Sequence, residues 1–258
     1  LFAKELFSFC CGKAQPAKSR KGFMMRKLCH YTELIKLIRK LAPKYGTWKV
    51  FEDFLAMSAI SFSNACDMSN WEKREATYMD IVKQYEREEL ELFVEMLNHL
   101  VHQLQRHVDS PQDILGKAFH ELLLHNKYRG QFFTPQNVCN MMGAISMNVY
   151  EKEMAQRGFV AVSELACGSG AMILGFAKAL KQRGFCYNRQ MVVEAVDVDL
   201  KCVHMCYLQL SLHGISAVVI HGNSLTNEVL SRWYTPVYVF DGWRERINSN
   251  INGRNCNE

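Results

Sequence analysis

The chain has 258 residues, with 48% hydrophobic and 22% charged side chains, a balance that excludes wholesale disorder and leaves room for one or two domains. No run of about 18 apolar residues exists, so a membrane-spanning helix is excluded. The net charge of +5 is unevenly spread: the first 45 residues hold eleven Lys/Arg against Glu5 and Glu33, a local +9 that leaves −4 for the rest.

Residues 1–29 carry the basic cluster Lys13, Lys18, Arg20, Lys21, Arg26 and Lys27, a composition suited to a solvated arm or to contact with nucleic acid. From residue 30 to 128 the period is helical. Leu34, Leu37, Ile38 and Leu41 recur at spacings of three and four, as do Val50, Phe51, Phe54 and Leu55, and then Phe93, Met96, Leu97, Leu100 and Leu104. Ser110-Pro111-Gln112-Asp113 predicts a cap, a first-turn proline and a helix through Leu124. Thr134-Pro135 opens another helix to Tyr150 by the same rule.

Beyond residue 129 short β-branched runs alternate with helical ones. Strands are expected at Phe159–Leu165, Met191–Val196, Ser216–His221 and Val237–Phe240, with helices at Ala171–Arg183 and Leu200–His213. Such alternation specifies right-handed crossovers and a parallel sheet. The organisation expected is a basic segment (1–29), a helical domain (30–128), an α/β domain (129–247) and a turn-rich tail (248–258).

Ten cysteines without regular spacing fit reduced thiols packed as small hydrophobes in a cytoplasmic protein, and no secretory start is read because Lys4 and Glu5 interrupt the first apolar residues. Cys202, His204 and Cys206 lack the further ligands of a zinc site, so no metal is expected.

The sharpest local signal is Glu164-Leu165-Ala166-Cys167-Gly168-Ser169-Gly170, where a buried strand meets a glycine turn and a helix follows at once. Glycines let backbone N–H groups approach a ligand, and the helix start favours an anionic group. Glu164, four residues before the first glycine, suits a ligand that carries an ammonium beside a carboxylate. S-adenosylmethionine (SAM) has both, with a ribose and an adenine. Asp197 ends the next strand, where an acid can accept ribose hydroxyls; Val198 can lie on an adenine face, and Asn223 at the third strand end can read its edge. Asp197 or Asp199 serves equally as a helix cap, and Asn223 as a turn residue. Three successive strand ends favour the ligand reading, because open α/β sheets bind at the carboxyl ends of their strands.

Gly130-Gln131-Phe132-Phe133-Thr134-Pro135, followed by Glu164 to Gly170, resembles the adenine-specific DNA methyltransferases, and among them the modification subunit of type I restriction systems. The resemblance implies a helical N-terminal domain before a truncated Rossmann-like, SAM-dependent methyltransferase domain. It implies that Phe133, Thr134 and Pro135 border the methionine end of SAM, that Glu164, Ala166, Gly168 and Gly170 hold its amino acid moiety, and that Asp197 and Asn223 take its ribose and adenine. DNA and a protein partner supplying target recognition are the implied partners.

That family carries an acid or amide, two prolines and an aromatic directly after its fourth strand, which accept the target amine's hydrogens and stack on the flipped adenine. Here Asp241 and Trp243 stand in those positions without the prolines, and four strands are expected where the family has seven. Three readings follow: methyl transfer to adenine in DNA, a non-catalytic SAM-binding subunit for assembly or regulation in a restriction-modification or mobile-element system, and transfer to a small molecule or protein.

Overall fold

The computed structural model describes residues 30–122 and 133–252. The basic cluster at 13–27, Gly130 to Phe132 of the sequence motif and the last six residues lie outside the described residues.

Helix α1 (His30–Tyr45) buries Leu34, Ile35, Ile38 and Leu41 along one stripe. Gly46, at φ 85° and ψ 139°, takes a backbone conformation open mainly to glycine, ends it and lets α2 (Thr47–Asn64) begin at once. A 3₁₀ turn (Met68–Asn70), capped by the Asp67 carboxylate, leads into α3 (Trp71–Val82). The pair Glu86 and Glu89 forms a reciprocal capping box at the start of α4 (Arg87–Gln105).

Helix α5 spans Ile114–Glu121, and its cap is Asp113 rather than the expected Ser110, because the Asp113 carboxylate accepts the Gly116 N–H at 2.7 Å. The next helix, α6 (Gln136–Arg157), is capped by Pro135 rather than Thr134 and runs past Tyr150 to Gly158 at φ 74°. No glycine or proline intervenes between Tyr150 and that glycine.

The sheet follows as β1 (Val160–Glu164), α7 (Ala171–Gln182), the short α8 (Tyr187–Gln190), β2 (Met191–Asp197), α9 (Leu200–Leu212) and β3 (Ser216–Asn223). These three strands are parallel and lie side by side in chain order. The fourth differs from expectation. Strand β4 is Glu228–Tyr234, antiparallel to β3, and the segment expected as a strand is instead helix α10 (Pro236–Phe240). A five-residue apolar run has no decisive period. Pro236 at the first helical position decides for helix, while Asn227 at φ 58° permits the tight return that pairs Glu228 with Asn223. The sheet is therefore mixed and mostly parallel. Helix α11 (Trp243–Asn252) closes the described chain.

One buried cluster runs from Leu34 on α1 through Phe119 on α5 to Trp233 on β4, so the helical region and the inner sheet face share a core. Helix α9 is buried continuously from Cys202 to Ser211 between α2 and the sheet. Helices α6 and α7 touch backbone to backbone: a Cβ on Gly143 would lie 2.6 Å from the Gly175 carbonyl oxygen. The helical region meets the edge strand β4 only near its end, where Arg74, ion-paired with Asp67 at 2.9 Å, donates to the Arg232 carbonyl at 2.8 Å and lies 4.5 Å over the Trp233 ring, while Glu228 to Leu230 stand exposed.

Candidate cofactor-binding site

Parallel pairing puts Glu164, Asp197 and Asn223 at one end of the sheet. The chain leaves β1 through Leu165 and Ala166, both exposed, and the Cys167 N–H donates to the Val196 carbonyl at 2.9 Å, extending the β1–β2 pairing past the strand. Gly168 (φ 53°) and Gly170 (φ 90°) then turn the backbone into α7. Both turns exclude a side chain: a Cβ on Gly168 would press the Phe133 ring at 3.0 Å, and one on Gly170 would press Cys206 Sγ at 3.1 Å. The aromatic of the Phe133-Thr134-Pro135 segment thus lies directly on the glycine loop. Thr134 and Pro135 are exposed beside it.

The Gly168 N–H donates to Asp197 Oδ2 at 2.8 Å, and the Asp199 N–H donates to Asp197 Oδ1 at 2.9 Å. Burial nevertheless pushes the Asp197 carboxyl above the ordinary Asp value, against the opposing pull of these N–H donors. The helix-cap alternative resolves to Asp199, whose Oδ1 accepts the Lys201 N–H at 3.0 Å at the start of α9. Asp197 is left half-buried at the strand end. Glu164 Oε1 accepts the Ala166 N–H at 3.2 Å. Val198 is 70% exposed, and Asn223 holds its own turn by accepting the Leu225 N–H at 3.0 Å. The glycines, the acid at the end of β2 and the exposed apolar Val198 match the polar and apolar parts of SAM, so the residues present fit that cofactor.

Asp241 and Trp243 do not join this set. After the antiparallel β4, Thr235 binds back to the start of β3, donating its N–H to the Ala217 carbonyl at 3.0 Å, so α10 and α11 lie at the amino ends of the parallel strands. Trp243 is fully buried against Phe159 and Val192, with Arg246 3.9 Å over its ring. Val192 and Asp197 stand five residues apart along β2, about 16 Å at strand rise. The expectation that Trp243 stacks on a base at the cofactor end is therefore corrected: its ring is packed into the opposite end of the sheet. Asp241 terminates α10 at that same end.

Sequence reading missed a buried polar hub beneath the loop. Ser169 Oγ donates to Asp113 Oδ2 at 2.6 Å, and Gln209 Nε2 donates to Asp113 Oδ1 and to the Ser169 carbonyl at 2.9 and 2.7 Å. Its one local signal is Gln209, a glutamine between two leucines in a mostly apolar helix. Cys202, His204 and Cys206 are buried, and burial holds His204 down at about pKa 3; among the described residues no group of three or more His, Cys, Asp or Glu is arranged to hold a metal.

The family model of N-6 DNA methylases matches residues 110–240, a stretch containing the hub, Phe133, the glycine loop, Asp197 and Asn223. The chain belongs to the N-6 DNA methylase family. Solved structures similar to this family member include a class I S-adenosylmethionine-dependent methyltransferase of Listeria monocytogenes, 14% identical with a TM-score of 0.43 over 78% of this chain and 56% of that one. Another is a type I restriction-modification methyltransferase subunit of Streptococcus thermophilus, 16% identical with a TM-score of 0.38 over 76% of this chain and 40% of that one. The chain thus spans about half the length of these two proteins. No curated protein matches it.

Proposed function

We propose that this chain binds S-adenosylmethionine at the carboxyl ends of β1–β3 and serves N6-adenine methylation of DNA. The observation that carries the reading is the interlock of Phe133, Gly168 and Asp197, in which the family's two motifs and the acid at the end of β2 touch one another. Glu164, Ala166, Gly168 and Gly170 would hold the amino acid moiety with Phe133, Thr134 and Pro135 at its methionine end. Asp197 would accept the ribose hydroxyls, Val198 would lie on the adenine face, and Asn223 would read the adenine edge. When bound, SAM supplies an electrophilic methyl group. This chain's own residues bind and orient it: the glycine turns admit close backbone approach, and the Asp197 carboxylate keeps lone pairs beyond its two N–H donors.

The acceptor side favours a second reading of the same site. With Trp243 buried at the far end of the sheet, the described residues place no stacking aromatic of the Asp241–Trp243 pair beside the cofactor. In that reading the chain is a SAM-binding assembly or regulatory subunit of a restriction-modification or mobile-element system, and a protein partner supplies target recognition and the groups that receive adenine. A cytoplasmic setting accords with the free cysteines among the described residues, and none of the described helices is long and apolar enough to cross a membrane.

Calorimetric titration with SAM, followed by a methyl-transfer assay on adenine-containing DNA, tests both. Saturable one-site SAM binding supports the shared site, and its absence sinks it. Transfer to adenine by the isolated chain supports the enzyme reading, binding without transfer supports the subunit reading, and transfer to a small molecule or protein displaces both.

A further inference from the structure

The glycine loop needs an external constraint, because glycine's freedom in φ leaves such a turn disordered unless something else holds it. Within the loop the Gly170 N–H donates to the Cys167 carbonyl at 2.8 Å, and the Gly168 N–H is held by Asp197, but neither contact holds Ser169, the residue between the two glycines. The buried hub does. Asp113 is 5% exposed, and its carboxylate accepts from Gly116 N–H and Gln209 Nε2 on Oδ1 and from Ser169 Oγ on Oδ2. Gln209, with no exposed surface, uses its full capacity: its amide nitrogen donates to Asp113 and to the Ser169 carbonyl, and its oxygen accepts the Ile114 and Leu115 N–H groups at 2.7 and 3.1 Å. Ser169, between the two turning glycines, is therefore gripped by side chain and carbonyl at once.

Asp113 also holds the other wall of the site. The Asp113 N–H donates at 2.7 Å to Oε1 of Gln136, the first residue of α6. Gln136 lies three residues after Phe133, whose ring rests on Gly168. The space is closed around this arrangement, since any side chain on Gly116 would collide with the Asp113 carboxylate and Ser169 Oγ. Four segments meet here: the starts of α5 and α6, the glycine loop and α9.

We propose that Asp113, Gln209 and Ser169 are positioning residues that fix the glycine loop to the start of α5, so that the helical region sets the loop's geometry and, resting on the SAM reading, its affinity for SAM. None of the three residues needs to touch the cofactor. They act through Gly168, Gly170 and Phe133, and coupling of this kind is reciprocal: SAM bound at the loop must also steady α5.

Hydrogen exchange resolved at single amides, on the whole chain with and without SAM, tests the link. In SAM-free protein, Ser169→Ala is expected to speed exchange at Gly116 and Gly170 together while leaving Phe93 to Leu100 on α4 unchanged. Its SAM affinity should fall about tenfold, and SAM should slow exchange at Gly116 in the unsubstituted protein. Gln209→Leu should do the same more strongly. Asp113→Asn, whose amide oxygen can still accept from Gly116 and Gln209 while its NH₂ donates to Ser169 Oγ, should stay within about threefold of the parent, which a requirement for the charge itself would not allow. Exchange changes confined to the loop in Ser169→Ala overturn the bridge, as does an unchanged SAM affinity in a protein that binds SAM. Failure of the unsubstituted chain to bind SAM sinks the cofactor reading, and the exchange pattern in SAM-free protein then decides the bridge without it. Should Gln209→Leu not fold, Ser169→Ala carries the decision.

Discussion

The two ends of the parallel strands are built for opposite purposes. At the carboxyl ends, Leu165, Val198 and Leu225 stand exposed in consecutive loops, and Asp197 and Asn223 are held in place by backbone N–H groups. At the amino ends, Thr235 and Trp243 are fully buried, and α10 and α11 fold back over Phe159 and Val192. Exposed apolar side chains beside ordered polar ones suit a ligand that is itself part polar and part apolar. A buried indole with no polar task suits closure. An aromatic near an acid in the sequence is therefore informative only once the end of the sheet on which it lies is known.

The largest expected effect breaks that comparison if it comes out wrong. Trp243→Ala should lower folding stability by about 3–5 kcal/mol, the usual cost of truncating a buried indole, while the folded fraction binds SAM as before. Urea unfolding and calorimetry read the two quantities separately. A loss of SAM affinity without loss of stability would return Trp243 to the site.

Asp197→Ala should weigh more on SAM binding than on stability, although it also removes the acceptor of the Gly168 and Asp199 N–H groups. Removing an acceptor of two ribose hydroxyls is expected to weaken SAM binding about 100-fold, at roughly 1.5 kcal/mol for each hydrogen bond to a charged group. Unchanged binding would remove the ribose from the end of β2. Because burial holds this carboxyl above the ordinary range, SAM affinity should begin to fall on acidification at a higher pH than an ordinary aspartate would give.

Stability has its own pH signature, carried by histidines in the shared core. Burial holds His204, whose ring meets Trp233 at 4.8 Å, down at about 3 and His213 at about 4. Both are neutral when folded and take up a proton only on unfolding, so stability is lost as pH falls below the unfolded value near 6.5. Between pH 6 and pH 5 the loss should be about 2 kcal/mol, measurable by urea unfolding at each pH. A stability curve flat across that interval would place these histidines in contact with water. The smallest effect expected is for Val198→Ala, about a threefold loss of SAM affinity from reduced apolar contact with adenine, read by calorimetry. An unchanged affinity there would move the adenine off β2.

Much of the cofactor end was legible because its signals are local. Strand, glycine pair and helix succeed one another within Val160 to Gln182, and β1, β2 and β3 lie within two residues of their expected bounds. The fourth strand was misplaced because the Val237–Phe240 run carries no decisive period, whereas Val229 to Tyr234 pairs only because the turn at Asn227 brings it back along β3.

The sequence by itself determined the first three strands and the helices between them, the positions of the glycine turns and the three strand-end residues. Periodicity, proline and positive-φ glycine act over a few residues, so they can be read without knowing the partners. Only the tertiary structure decided which groups meet: Gln209 with Asp113 across 96 residues, Arg74 with the Arg232 carbonyl across 158, and Trp243 with Phe159 rather than with a cofactor. Those contacts are selected by where whole elements can pack and bury their polar groups in pairs, a condition that no single segment carries.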